Sequence, residues 1–571
     1  MTSKIAIIGS GPTGIYTLAG LVPARVPLSI TVFEVEADAG KGTPYHPDIN
    51  DQAMLANIAS IELPPICENL VDWLRRQSDL ELERLNVARA QIKEREFYPR
   101  IVLGEYLQSQ FQQLIEKGIA NQHVIDVKTR HRVVDIKLQP EDIQLTVRTP
   151  DGERKDYAFD HVVMATGHDW PETTEVKPGY FVSPWPARAL KSIDPGSIAI
   201  LGTSLSAIDA LMTVSTAYGA FYLDASGQLQ YQSSAAGEGF RATMMSRKGL
   251  LPEADFYCDY PYAPLQICTV EAVDALIARG SANLLDNVFD LFKRELASSD
   301  PDYAASIGLS LLTVETLAPA YFAAREAMDP FVWAGMNLAE AEQNKASQHI
   351  VQWRYAILRM HEIVARAVPH LDKDDLKRFH KSFKSVFIDD YATVPHQSIQ
   401  RLLALRRAGK LDIIKLGNDY EITTDGVTRG AIIRHDGTQI VFDAFIDATG
   451  QASMSAQDMP FPSLMAQGVI KPAVSRDSGV LLSAETESAY TRTGGIDLDA
   501  AFRPNFEGAL CNQLYCAAIS FLLHKLPFVQ GITSAHEIGN VVSAAILADL
   551  SIETAEPAFA FDSGLLVDAG S

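Results

Sequence analysis

The sequence predicts an α/β protein made of two strand–glycine turn–helix units and a helical insertion. Three observations carry that prediction. The apolar run Ile5-Ala6-Ile7-Ile8 passes directly into Gly9-Ser10-Gly11-Pro12-Thr13-Gly14 and then into an apolar, helix-like stretch. A second start of the same kind follows at Ser197 to Leu201 and Gly202-Thr203-Ser204-Leu205-Ser206-Ala207. Residues 251–400 then change to helical periodicity before strand patterns return. Together they describe two Rossmann-like dinucleotide-binding domains with a helical insertion.

In the first unit, residues 28–33 read as a second strand ending on Glu34, twenty residues past Gly14. Each part of that spacing has a chemical use. Gly9 permits the tight turn, Gly11 lets the backbone approach a pyrophosphate, and Gly14 lets helix and strand pack closely. Free N–H groups and the positive helix end attract phosphate. Glu34 would accept from ribose hydroxyls, which suits an adenosine ribose without a 2′-phosphate, as in FAD or NAD.

A chain of 571 residues allows about three domains at roughly 100–200 residues each. The expected division, with the cofactors that the resemblance described below implies, is residues 1–185 (FAD-binding domain, first part), 186–250 (NAD(P)H-binding domain), 251–400 (helical insertion, a cover for the substrate) and 401–571 (FAD-binding domain, second part). The net charge of −22, from 49 basic and 71 acidic side chains, argues against nucleic acid or an anionic membrane as a partner. Five scattered cysteines without a C-x-x-C suit a reducing cytoplasm. The first apolar run already belongs to the glycine motif, so no signal peptide is expected. The apolar stretch 514–523 is too short for a bilayer, which needs about 20 residues. The expectation is a soluble cytoplasmic protein, with no repeat of solenoid period.

After Glu34, the loop Gly40-Lys41-Gly42-Thr43-Pro44-Tyr45-His46 has turn chemistry. Leu55-Ala56-Asn57 follows, residues 70–90 read as a helix, and Pro99-Arg100 opens another. Residues 123–127, 132–138 (with Val133), 143–148 and 157–159 read as a small inserted sheet. His161 to Met164 is a buried strand ending on Ala165-Thr166-Gly167-His168.

In the second unit, serine and alanine replace the second and third glycines. Both are small, so close approach survives, and alanine is an accepted third residue. Residues 242–246 read as a strand ending on Arg247-Lys248, where the first unit has Glu34. A basic pair there suits a 2′-phosphate, hence NADPH. The fifth position of Gly202-x-Ser204-x-Ser206 is not glycine, which argues against a hydrolase nucleophile elbow.

Within 251–400, residues 270–279, 283–297, 302–307, 340–366 and 372–384 read as helices, and the histidines show no zinc spacing. Residues 411–416 and 444–447 read as strands, the second again ending Ala448-Thr449-Gly450, expected as a second crossing of the FAD domain. A last helix from about Ala535 follows Gly531-Ile532-Thr533 and should point its N-terminus at the flavin.

On these residues the chain resembles the two-dinucleotide-binding-domain flavoproteins. More closely it is similar to a bacterial FAD/NAD(P)-binding family that includes nitrosuccinate-forming aspartate N-monooxygenases. The residues carrying this are Gly9 to Gly14, Gly42 to Tyr45, Leu55 to Asn57, Pro99-Arg100, Ala165 to His168, Gly202 to Asp209, Ser246 to Pro252 and Ala448 to Gly450. The resemblance implies FAD contacts at Gly9 to Gly14, Glu34, Thr43, Asn57, Arg100, Val133, Thr166, Gly167, Thr449, Gly450 and Thr533. Asn57, Arg100 and His168 would line the flavin. It implies NADPH contacts at Gly202, Ser204, Leu205, Ser206, Arg247 and Lys248. The cysteine pair of disulfide reductases is missing, since Cys67 stands alone near the first unit. The F-x-G-x-x-x-H fingerprint of Baeyer–Villiger enzymes is missing too.

The implied activity is an FAD-dependent, NADPH-using monooxygenase that forms a C4a-hydroperoxyflavin from O₂ and oxygenates a small nucleophilic substrate through an amino group, an amino acid being one such substrate. Two alternatives stay open: an FAD-dependent oxidoreductase without oxygen insertion, and a non-enzymatic flavin-binding redox sensor.

Overall fold

A computed structural model describes residues 2–167, 173–450, 454–476, 490–529 and 531–551. The first unit forms where its pattern placed it, as β1 (Lys4–Ile8), α1 (Pro12–Leu21) and β2 (Ser29–Phe33). A long helix, α2 (Arg100–Ala120), leads to β3 (Val124–Lys128), and β4 (His161–Met164) follows. The second unit is β5 (Ser197–Leu201), α3 (Leu205–Tyr218) and β6 (Arg241–Ser246). The helical segment comes next and includes α4 (Gln352–Ala365) and α5 (Lys384–Tyr391). The chain returns through β7 (Leu411–Lys415) and β8 (Ala444–Asp447) and closes with β9 (Leu514–Cys516) and α6 (Gly531–Asp549).

Two parallel sheets result. The first runs β9-β4-β1-β2-β3; the second runs β7-β6-β5-β8 and is extended by the short pieces Tyr180–Phe181 and Glu175–Lys177. Ile5 to Ile8 and all of β4 are buried, as strands covered on both faces must be. The order is the same in both sheets: third, second, first, then the strand that ends Ala-Thr-Gly. In both units the third strand leads into a three-stranded antiparallel meander, residues 132–159 in one and 420–442 in the other. The two dinucleotide domains are therefore structural duplicates.

This corrects several expectations. β3 pairs in parallel with β2 and is the edge of the main sheet, not part of the small inserted one. Its outer face is solvated, so its sequence reads like a meander strand. Residues 411–447 belong to the second unit, because β7 pairs with β6 and β8 with β5. They were expected in the second part of the FAD domain, which instead resumes after residue 450, with Ala456 to Leu547 packed into the first core. The helical region is thus inserted between β6 and β7, inside the second unit. The predicted helix 340–366 is two helices, Pro330–Ser347 and Gln352–Ala365, parted where Gln348 turns left-handed at φ 55°. Residues 70–90 likewise divide, since Ser78 caps a new helix, Asp79–Arg84. Helix Val314–Glu326 was not anticipated, because Pro319 lies inside it.

The three largest cores follow this division, one per dinucleotide domain and one in the helical region, where Phe289, Phe292, Phe379, Phe383 and Phe387 pack edge to face. Phe528, from the returning first domain, inserts into that aromatic cluster 5.3 Å from Phe387. Among the described residues no helix is long and apolar enough to cross a membrane.

Candidate functional site

The first glycine turn has the geometry its spacing implied. Gly9 has φ +103°, its N–H donates to Phe33 O at 2.8 Å, and a Cβ there would lie 2.3 Å from Ala165 O. Gly14 is pressed on the same turn, since a Cβ on it would lie 2.1 Å from Gly9 O. The second unit repeats this. Gly202 has φ +121°, donates to Met245 O at 2.7 Å, and faces Ala448 O. Each Ala-Thr-Gly strand thus ends against the first glycine of its own unit. This explains why the motif occurs twice, and it moves Thr449 and Gly450 from the first unit to the second. Thr449 there turns onto its neighbour, its N–H and Oγ1 donating to Asp447 Oδ1 at 3.0 and 2.7 Å.

Neither α1 nor α3 has a side-chain cap, with Gly11 and Ser204 in the cap positions. The first-turn N–H groups are left for a ligand, which is what a phosphate site needs. Glu34 is buried at the end of β2. Its Oε2 accepts from Ser10 N at 3.0 Å and Ser10 Oγ at 2.5 Å, and its Oε1 from Glu36 N at 3.0 Å. Ser10 therefore holds the acid in place from behind.

One cleft of about 3290 Å³ collects most of the predicted residues, several times the ~300–1,000 Å³ of an ordinary small-molecule pocket. Gly9, Gly11, Pro12, Thr13, Glu34 and Thr43 line one end. Asn57, Arg100, Val133, Thr166, Gly167 and Thr533 line it further along, and Leu205 and Ser206 bring in the start of α3. Ser10 and Gly14 sit behind this surface, and Gly202, Ser204, Arg247, Lys248, Thr449 and Gly450 lie outside the lining. His168 lies outside the described residues. Helix α6 packs along α1, with His536 edge-on to Tyr16 at 4.9 Å, and so presents Thr533 to the cleft.

The residues fit a dinucleotide. Asn57 Oδ1 is buried without a hydrogen-bond partner, and Asn57 lines the cleft. A buried acceptor left unpaired costs about 1–3 kcal/mol, which a bound donor would recover. Arg100 has a different partner. Its Nη2 donates to Asp209 Oδ2 at 2.6 Å, tying the start of α2 to α3. Burial pushes the Asp209 carboxyl up to about 6 against the pull of Arg100.

The predicted basic pair divides. Arg247 is exposed, with no described partner for its guanidinium. Lys248 lies 3.4 Å from Glu326 and 3.2 Å above the Phe322 ring, held by helix 314–326. Lys415, at the end of β7 and opposite Ser246, shares Glu326 with Lys248, its Nζ 3.5 Å from Glu326 Oε2, so Arg247 is the cation of this edge left without a described partner. The described cysteines are all free thiols, and burial raises Cys67 and pushes Cys258, Cys268 and Cys516 up to about 12. They are poorly suited to dithiol exchange.

Residues 6–169 match a family described as FAD-NAD(P)-binding, and residues 269–391 match the YdhS-like middle domain. The uncharacterized protein YdhS of Escherichia coli (strain K12) is 40% identical over 552 residues, covering 96% of this chain and 98% of that one.

The chain belongs to the YdhS family.

Residues 6–169 are accordingly its FAD/NAD(P)-binding domain, and the helical insertion is the YdhS-like middle domain. Solved structures that match along most of the chain include the ornithine N-hydroxylase of Kutzneria sp. 744 (12% identity, TM-score 0.48, 96% of this chain and 100% of that one). The reduced ornithine hydroxylase of Pseudomonas aeruginosa is another (14%, 0.47, 96% and 100%).

Proposed function

We propose that the chain is an FAD-dependent, NADPH-using monooxygenase that oxygenates a small substrate through an amino group. The observation that carries this reading is the single continuous cleft lined by the first glycine turn, the start of α3 and Thr533 of α6. A dinucleotide on the first turn would lie in that space, and one on the second would reach it past Leu205 and Ser206. FAD, when bound there, supplies acceptance of hydride from NADPH and the activation of O₂.

The chain's own residues do the rest. The uncapped first turn of α1 holds the FAD pyrophosphate, and Glu34 takes its ribose hydroxyls. Asn57 offers its unpaired Oδ1 to a donor on the ring system. The positive end of α6, with Thr533, favours negative charge where electrons arrive. The uncapped turn of α3 takes the NADPH pyrophosphate, and Arg247 attracts the 2′-phosphate. The Arg100–Asp209 pair keeps the two turns in register. The middle domain lines the cleft with Leu358, Ile363 and Tyr391, and Phe256 and Phe528 add apolar surface from outside it, excluding water. An amine needs no protein base to accept oxygen once its lone pair is free.

The test uses the FAD-loaded protein, NADPH and isotopically labelled dioxygen. Anaerobic NADPH should bleach the flavin faster than NADH does. In air with an amine substrate, label should enter the product. Bleaching with only peroxide release would favour the oxidoreductase reading instead, and no bleaching would leave the redox sensor.

A further inference from the structure

Glu62 ends a single turn, Ser60–Glu62, on the same segment as Asn57, and both residues line the cleft. That segment is fixed from behind. Ala56 N donates to Tyr98 O at 2.9 Å and Ser60 N to Glu96 O at 3.0 Å, so residues 56–60 run along residues 96–98. Glu62 is half-buried, and one of its oxygens is held: Tyr262 OH donates to Oε1 at 3.1 Å. Among the described residues no side chain pairs with the other oxygen, Oε2.

Tyr262 is itself pinned from two sides. It belongs to the connection into the middle domain, residues 255–265, and Tyr260 and Tyr355 meet its ring edge-on at 5.4 and 6.1 Å. On one side α4 holds this connection: Tyr355 OH accepts from Ala263 N at 2.7 Å, and Arg359 Nη1 donates to Ala263 O at 3.0 Å. On the other the first domain holds it, with Arg95 Nη1 donating to Cys258 O at 2.7 Å and its guanidinium 4.6 Å over the Tyr257 ring. Both guanidiniums are thereby engaged, and Lys345 Nζ donates to Arg95 O at 3.3 Å.

An aliphatic amine reaches the cleft as an ammonium, since such groups titrate near about 10. It has no lone pair to offer until a proton leaves. A carboxylate with one oxygen fixed and the other free can first hold the ammonium and then take that proton. Burial raises the Glu62 carboxyl, while the Tyr262 hydrogen bond, the Ala59 backbone and the charge of Arg95 pull it the other way. The other ionisable groups that feel Glu62 are Tyr260, Cys258 and Asp255 on the same connection. Burial holds the phenols and the thiol neutral, and pushes Asp255 up to about 8 with the help of Glu62's charge. Asp255 thus already carries a proton at neutral pH, and Glu62 is the ionised acid of this corner.

We infer that Glu62 is the base that frees the substrate's amine: an ammonium N–H bond breaks, its proton passes to Oε2, and the electron pair stays on nitrogen. This rests on the amine-oxygenating reading above and gives it the proton acceptor that it needs before oxygen transfer. Tyr262 is a positioning residue, holding Oε1 so that Oε2 is left to the substrate. Tyr260, packed on Tyr262 and lining the cleft, offers an apolar face to the body of the amine.

Infrared difference spectra of the FAD-loaded full chain, recorded without NADPH at mildly alkaline pH, test the transfer separately from turnover. The probes are 2-phenylethylamine and its neutral counterpart 2-phenylethanol. Adding the amine should bring up the carbonyl band of a protonated carboxyl, the alcohol should not, and Glu62→Gln should abolish the band. Calorimetry should show the amine binding at least about tenfold tighter than the alcohol, a difference of ~1.4 kcal/mol. That advantage should shrink as pH falls through the raised Glu62 value, because the carboxyl is then already neutral, and Glu62→Gln should erase it at every pH. Tyr262→Phe keeps the carboxylate, so the band should remain while amine affinity drops severalfold. Melting temperatures check that each variant is folded. No band in the unaltered chain, or a band that survives Glu62→Gln and disappears in Asp255→Asn, overturns the inference even if NADPH still bleaches the flavin. Failure of that bleaching, with the Glu62 band intact, would instead overturn the monooxygenase reading.

Discussion

Gly11→Ala separates the fold from the cofactor site. Gly11 has φ −74°, a conformation open to alanine. A Cβ there would meet only Gly42 Cα, at 3.4 Å, an ordinary van der Waals contact. The free protein should therefore keep its stability within ~0.5 kcal/mol, or gain slightly from a less flexible unfolded chain. Bound FAD is another matter. The methyl would stand where the pyrophosphate must approach the start of α1. Displacing it loses one or more charge-assisted hydrogen bonds at ~1.5–3 kcal/mol each, so FAD affinity should fall by about 10- to 100-fold. The assay is quenching of FAD fluorescence on titration with apoprotein, beside a thermal melt of the same apoprotein. An unchanged melt with weakened FAD binding is expected. Unchanged FAD affinity would refute the argument, because the pyrophosphate would then lie elsewhere.

Gly14→Ala should act oppositely, on the fold itself. Its Cβ would lie 2.1 Å from Gly9 O, so α1 must lift off β1 at a cost of ~1–3 kcal/mol, read as a lowered melting temperature even without FAD. Arg247→Ala should raise the KM for NADPH about 10- to 100-fold and leave that for NADH unchanged, whereas Lys248→Ala should change the NADPH preference less, being committed to Glu326. Glu253 is 2% exposed; burial would raise its carboxyl, but Arg354 and Arg325 outweigh that and hold it at about 2. Its contribution is present above the unfolded-state value near 4.5 and is lost as pH falls toward 2, so denaturant titrations should show stability dropping through that window. Glu253→Gln should cost ~3–5 kcal/mol at neutral pH, because it strands buried guanidinium charge.

What was legible in the sequence was local. The glycine turn, its strand and helix, and Glu34 at the strand end were readable because each is dictated by neighbours in the chain. The same holds for the second turn and its alanine variant. The duplication was not legible. It shows only when β7 and β8 join β5 and β6, across an insertion that separates β6 from β7 in sequence. The second Ala-Thr-Gly was read as a crossing of the wrong domain for that reason. Arg100 had a recognisable place at a helix start, but its partner Asp209 lies in another domain, and pairing across domains leaves no periodic mark.

The central claim is that the first turn cradles FAD. Its most direct measurement is the visible absorption spectrum of the purified chain, followed by identification of whatever small molecule heat denaturation releases. The account predicts flavin absorption, as isolated or after adding FAD, with one FAD released per chain. A colourless protein that takes up no FAD would contradict it.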